Sequence, residues 1–151
     1  MSLKIKIAEQ MKQALKAHRA VELGTLRMLN SAILYKEKAR DKAADALSDE
    51  EVLDVIISET KKRKEAIMEF EKGQRADLAD KEKQELAILN QYLPAQLSEQ
   101  ELAVLVNQAL VTSGAKTIKE MGKVMQLLAP QLKGRADGAK VAQLVRAKLG
   151  V

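Results

Sequence analysis

The sequence predicts an all-α protein, and three observations carry that prediction. Apolar residues recur at i, i+3, i+4 and i+7 along most of the chain, and no stretch alternates at period two as a strand requires. Three Ser or Thr capping boxes, two of them with apolar residues placed to staple them, mark helix starts. Apolar residues make up 46% of 151 residues, yet only Tyr35, Phe70 and Tyr92 are aromatic, so the core has to be built from Leu, Ile, Val, Met and Ala. The expected architecture is an N-terminal part of about four helices over residues 1–94 and a small C-terminal three-helix bundle over 98–151.

The first helix is short, basic and amphipathic. Leu3, Ile7, Met11, Ala14 and Leu15 fall on one face, with Lys4, Lys12, Lys16 and Arg19 off it. Residues 20–44 read as a second helix with Leu26, Leu29, Ala32 and Ile33 as its apolar stripe. Gly24 weakens that helix by about 1 kcal/mol relative to alanine, which marks either a close contact or a loose first turn. The charged, alanine-rich stretch 36–46 is expected to fray into a loop. Ser48-Asp49-Glu50-Glu51 is a capping box with Leu47 and Val52 as its hydrophobic staple. The helix it opens runs to Lys72 through Leu53, Ile56, Ile57, Ile67 and Phe70, and Gly73 supplies a left-handed stop. Lys61-Lys62-Arg63-Lys64 reads as a solvated face balanced by Glu59, Glu65 and Glu69.

Asp77 is placed to cap a fourth helix over 78–92, with Leu78, Leu86, Leu89 and Leu93 inward and 81–85 as its wet side. Pro94 ends it, because the residue before proline avoids the helical region. The segment 94–97 is read as a domain joint. Ser98–Glu101 is the second box, with Leu97 and Leu102 as staple, and it opens a helix through Leu105, Val106, Ala109 and Leu110. Gly114 stops that helix. Thr117–Glu120 is the third box, starting a helix that carries Met121, Val124, Met125 and Leu128. Pro130 is expected to break it near Leu128, leaving one more turn to Leu132. Asp137 caps the last helix, through Val141, Leu144, Val145 and Leu149.

Composition excludes several chemistries. The chain has no cysteine, so disulfides, thiolate metal sites and thiol nucleophiles are ruled out. A reducing, cytoplasmic setting fits this. No run of about 18 apolar residues is present, so no membrane span is expected, and Lys4 and Lys6 interrupt any signal-peptide core. His18 is the only histidine and has no acid beside it, so it reads as a helix-end residue. Ser48 and Ser98 are explained as caps. Glu59, Glu65 and Glu69, or Glu82 and Glu85, share helix faces, but a carboxylate metal site in a bundle wants Glu-x-x-His motifs, and surface salt bridges are the better reading. No catalytic set, cofactor or metal is expected.

Charge is unevenly spread. From Gly114 to Val151 the chain carries eight bases and two acids, a net +6, while the other residues sum to −1. Such asymmetry points to a polyanionic partner. Gly134-Arg135-Ala136-Asp137-Gly138 admits two readings. It is a tight interhelical turn with Arg135 exposed at its tip, or it places Lys133 and Arg135 against a phosphate at the start of the last helix. Gly122 likewise marks close approach of another helix or of a nucleic-acid backbone.

Thr25-Leu26-Arg27-Met28-Leu29, Lys81–Leu86 and Tyr92-Leu93-Pro94 occur in order. They are followed by Met121-Gly122-Lys123-Val124-Met125, Pro130 and Gly134–Gly138. In these residues, over nearly the whole chain, the sequence resembles the GatB/YqeY family, and within it a stand-alone YqeY-like protein. The resemblance implies an all-helical protein with a small C-terminal three-helix domain. It also implies kinship with the tail of the B subunit of the glutamine-dependent amidotransferase that corrects misacylated tRNA, where the tail contacts tRNA. A carbon–nitrogen ligase activity with glutamine as amide donor would come with that complex, not from this chain.

The function expected is therefore binding of tRNA or another folded RNA through Lys123, Lys133, Arg135, Lys140 and Arg146. With so few aromatics, stacking on single strands is disfavoured, and no helix reads as one that recognises DNA sequence. Backbone and shape recognition fits better, with a log–log salt slope of about −3 to −4. The alternative is a protein-interaction adaptor with an apolar groove between the two parts, lined by Met28, Met121 and Met125.

Overall fold

A computed structural model describes residues 2–40 and 46–150. Among them the chain is all-helical: α1 (Leu3–Lys16), α2 (Ala20–Lys38), α3 (Asp49–Lys72), α4 (Ala76–Asn90), α5 (Glu99–Ser113), a 3-10 turn (Ile118–Glu120), α6 (Met121–Leu132) and α7 (Gly138–Leu149). They fall into two compact units, Met1–Leu93 and Pro94–Val151.

In the first unit the core joins Ile7 of α1, Leu26, Leu29 and Ile33 of α2, Val52, Val55 and Ile56 of α3, and Leu89 and Tyr92 at the end of α4. The Ser48 capping box is formed in both directions, with Glu51 N–H donating to Ser48 Oγ and Ser48 N–H to Glu51 Oε2. Leu47 and Val52 are both buried beside it. Leu15 does not join the core and is 56% exposed, because it stands about 80° round the helix from Ile7 while Ala14 stands nearly in line. In α2 no heavy atom lies within 4 Å of a Cβ built on Gly24, so no close contact explains that glycine. The helix stops at Lys38. Part of the expected frayed loop, residues 41–45, lies outside the described residues.

Two helix ends depart from expectation. Gly73 has φ −80°, and Gln74, at φ +57°, takes the left-handed position instead. Arg75 N–H then donates to Phe70 C=O at 2.8 Å and Gln74 N–H to Glu71 C=O at 3.1 Å, the paired bonds of a Schellman closure. His18 does the same after α1, at φ +55°, with Arg19 N–H on Ala14 C=O. It is thus the helix-end residue expected. Asp77 does not cap α4, whose N-cap is Arg75. Asp77 sits in the first turn, where a carboxylate opposes the positive end of the helix, and its bidentate contact with the Arg75 guanidinium holds it below the usual carboxylate range.

The largest correction lies between α3 and α4. Leu53, Ile57, Ile67 and Phe70 are only half-buried, and the α3 stripe instead continues from Ile56 through Glu59, Thr60 and Arg63, all buried. Arg63 is not on a solvated face. It is 4% exposed and pairs with Glu59 Oε2 at 2.9 Å and Glu85 Oε2 at 3.4 Å. Glu85, placed on the wet side of α4, is buried too. The 3.4 Å contact leaves Arg63 Nε without a hydrogen bond. Glu37, expected in a fraying segment, is also buried. It accepts from Lys4 Nζ at 2.6 Å and Leu47 N–H at 3.1 Å, tying α1, α2 and the entry to α3, and these donors hold its carboxyl low.

The second unit is a three-helix bundle around Leu102, Val106 and Ala109 of α5, Val124, Leu128 and Leu132 of α6, and Val141, Val145 and Leu149 of α7. The Ser98–Glu101 box is reciprocal, and Leu97 packs on the core beside buried Leu102. Gly114 closes α5 at φ +67°, and Asp137 caps α7 by accepting from Ala139 N–H. Pro130 does not break α6, which runs unbroken to Leu132. The proline lies in the last turn, where burial of Leu128 and Leu132 on one face outweighs one missing hydrogen bond. Thr117–Glu120 is not a reciprocal box: it folds into the 3-10 turn, and Thr117 makes no side-chain cap bond to a backbone amide.

Two predictions follow from the α3–α4 charges. Arg63→Ala takes from buried Glu85 its ion pair and leaves Glu59 to the more exposed Lys62, 3.1 Å away, and urea unfolding should show a loss of about 3 kcal/mol. Replacing Glu59, Arg63 and Glu85 together by leucine or methionine should restore most of it. Glu82, by contrast, is pushed above the usual carboxylate range by burial first and by the neighbouring Glu85 second. Its ionised form therefore destabilises the fold, and that penalty is relieved as pH falls through its raised folded value. Glu82→Gln should raise the urea midpoint at pH 7, and the gain should vanish near pH 4, below the ordinary value of 4.5.

Candidate nucleic-acid interface

The second unit carries the positive charge, and its topology decides which bases meet. Short joints connect α5 to α6 and α6 to α7, so the helices run up, down and up. At one end, Leu97 N–H donates to Arg135 C=O at 2.9 Å, Gln96 Nε2 to Gly134 C=O at 2.6 Å, and Lys140 pairs with Glu99 at 3.3 Å. At the other, a Cβ built on Gly150 would lie 3.2 Å from Ile118 Cδ1. The start of α5, the end of α6 and the start of α7 thus share one end of the bundle. The end of α5, the 3-10 turn, the start of α6 and the end of α7 share the other. A 12-residue helix separates the two ends by about 18 Å.

The bases expected to meet RNA are divided by this arrangement. Lys123 and Arg146 stand at the 3-10 end. Lys133, Arg135 and Lys140 stand at the opposite end. The structure also brings in three bases that the sequence reading left aside, Lys116, Lys119 and Lys148. The 3-10 end therefore collects Lys116, Lys119, Lys123, Arg146 and Lys148 against Glu120 alone, whereas the other end has Lys133, Arg135 and Lys140 against Glu99, Glu101 and Asp137. The signal was present as proximity in sequence: Lys119 and Lys123 are four apart, the spacing of neighbours on one helical face. Their union with Arg146 and Lys148 needed the fold.

Geometry separates the members further. Arg146 follows Lys140 by six residues, which turns it about 120° away on α7. All five side chains of the 3-10 end are exposed. None is held in an ion pair among the described residues. Gly122 sits beside them, and among the described residues no other helix comes within 4 Å of a Cβ built on it. Glu120 is held below the usual carboxylate range, first by the Lys116 backbone N–H.

Arg135 fits neither reading of its turn as stated. It is half-buried. Its Nε donates to Ala95 C=O at 3.1 Å, its N–H to Leu132 C=O at 2.8 Å, and its C=O accepts from Leu97 N–H. Lys133 at φ −56°, ψ 117° and Gly134 at φ +72° form a type II turn closed by that Leu132–Arg135 bond; a type II turn needs φ > 0 at its third residue, which favours glycine. Residues 94–97, read as a joint, are thereby pinned to the second unit.

Each unit carries an open cleft. In the second unit, Glu99, Leu102, Lys140, Gln143, Leu144 and Ala147 line an open cleft of 390 Å³ whose polar groups are mainly the Glu99–Lys140 pair. In the first, a cleft of 470 Å³ runs beside Tyr35 and Lys62. Among the described residues no three or more His, Asp or Glu side chains gather as metal ligands do, and no helix is long and apolar enough to cross a membrane.

Comparison with known proteins shows the family. The family described as Yqey-like protein matches residues 4–149. The chain belongs to the YqeY family. It is also 33% identical over 97 residues to an uncharacterized protein of Schizosaccharomyces pombe, a match covering 64% of this chain and 76% of the relative.

The Arg135 contacts generate a stability prediction. Arg135→Ala removes the side-chain bond to Ala95 and should cost the second unit about 1 kcal/mol. Amide exchange should become faster at Leu97, and a variant that exchanges like the wild type would show that the guanidinium does not hold this segment.

Proposed function

We propose that this protein binds the phosphate backbone of folded RNA, tRNA being the class indicated by its family resemblance, through the 3-10 end of its second unit. The observation that carries the reading is the gathering of Lys116, Lys119, Lys123, Arg146 and Lys148 around a single acid. Lysine and arginine ends without stacking partners contact phosphates rather than bases. In the second unit there is no aromatic side chain at all, so base stacking supplies nothing there. The bland account is that Arg146 and Lys148 merely complement the negative end of α7, but that leaves Lys116, Lys119 and Lys123 unexplained. Lys133, Arg135 and Lys140 contribute less on this reading, since acids neutralise their end.

A second reading, a protein-interaction adaptor, draws support from the outer face of α2, where Val21, Met28 and Tyr35 repeat every seven residues at 46%, 52% and 78% exposure.

Fluorescence anisotropy with unfractionated tRNA across a salt series tests the proposal, with duplex DNA of equal charge as control. Lys119→Glu with Lys123→Glu should weaken tRNA binding about tenfold or more and flatten the log–log salt slope by about two. Lys133→Glu with Lys140→Glu should have a much smaller effect. Equal losses from both pairs would reduce the site to a diffuse basic surface. Absence of binding by the wild type at low salt would favour the adaptor.

A further inference from the structure

Glu120 is the single acid in residues 114–123 and 141–150, and simple electrostatics would count it as opposing RNA. Its geometry gives it another role. Its Oε1 accepts from the Lys116 backbone N–H at 3.2 Å and lies 3.4 Å from the Thr117 hydroxyl, while its own N–H donates to Thr117 C=O at 3.0 Å. Upstream, Ser113 Oγ accepts from Ala115 N–H at 3.2 Å and donates to Leu110 C=O at 3.2 Å. The connection from α5 to α6 is thus cross-braced, and it carries Lys116 and Lys119, with Lys123 one turn on.

Ala115 and Met121 anchor the two ends of this segment on the second core, and the backbone between them, which carries Lys116 and Lys119, has the Glu120 and Thr117 bonds as its brace. Gly114 and Gly122 flank it, and nothing packs on the Cβ side of either. Ordering such a loop during association subtracts from affinity, and a loop held in place beforehand avoids that loss. We infer that Glu120 is a positioning residue of the RNA-binding surface: it presents Lys116 and Lys119 to phosphates, and this outweighs the negative charge it adds. The inference rests on the RNA reading proposed above.

Two variants of identical charge separate the effects. Glu120→Gln removes the charge but keeps an oxygen that accepts from Lys116 N–H. Glu120→Ala removes both. With unfractionated tRNA in an anisotropy titration, Glu120→Gln should bind at least as tightly as the wild type, and Glu120→Ala about fivefold more weakly than Glu120→Gln, the scale of one lost hydrogen bond. Exchange of the Lys116 amide should be faster in Glu120→Ala and nearly unchanged in Glu120→Gln, with helicity by circular dichroism equal in both. Equal affinities for the two variants, while the Lys119→Glu and Lys123→Glu pair still weakens binding about tenfold or more, would overturn the positioning role alone. Undiminished binding in that lysine pair would overturn the RNA reading, and this inference with it.

Discussion

The three aliphatic rows of the second unit are what the candidate site depends on. Leu102, Val106 and Ala109, then Val124, Leu128 and Leu132, then Val141, Val145 and Leu149 are all buried. Each fully buried aliphatic side chain contributes on the order of 1.5–3 kcal/mol, whereas an exposed ion pair such as Lys140–Glu99 contributes at most about 1 kcal/mol. Apolar burial therefore sets the helix directions, and the charges follow. Once the rows interlock, Lys119 and Lys123 must share an end with Arg146 and Lys148. Lys133 and Lys140 must share one with Glu99 and Glu101. The positive end is a consequence of packing, not of charge attraction, since like charges would not assemble themselves.

The first unit solves a different problem. Its aliphatic core ends near Ile56 on α3, but α3 and α4 continue together well beyond it. The seam there is filled by Glu59, Arg63 and Glu85. A buried ion pair is weak support for stability, because desolvation offsets most of the attraction. What it does is penalise misalignment: sliding α4 against α3 would strand a buried charge. Glu37 works similarly at the other side of the unit, where Lys4 and Leu47 converge on one carboxylate.

Pinning of residues 94–97 by Arg135, Gln96 and Leu97 adds to this picture. The stretch after Pro94 has the composition of a linker, yet it is the first bonded segment of the second unit. That uses one face of the Gly134 turn for structure, whereas the five bases of the 3-10 end are held in no ion pair among the described residues.

Much of the architecture could be read from residues close in sequence. Ser48 with Glu51, and Ser98 with Glu101, declare helix starts because both partners lie within one turn. Gly114 and Gly134 mark left-handed positions, Asp137 a cap, and the i, i+4 aliphatic spacing names most of the second core. The sequence by itself thus determined the helical class, most helix starts and the location of net charge in the last quarter. Tertiary structure alone decided that Arg63, Glu59, Glu85 and Glu37 are buried. On a wheel they look like any solvated charge, and the contacts that bury them reach other elements: Arg63 of α3 meets Glu85 of α4, Glu37 and Lys4 are 33 residues apart, and Arg135 and Ala95 40. It also decided that His18 and Gln74 take left-handed positions, since the phase needed to bring each next helix back onto the core selects the residue there. Above all it decided which bases stand together, because charges distant along the chain become neighbours only where burial of the apolar rows brings their helix ends into register.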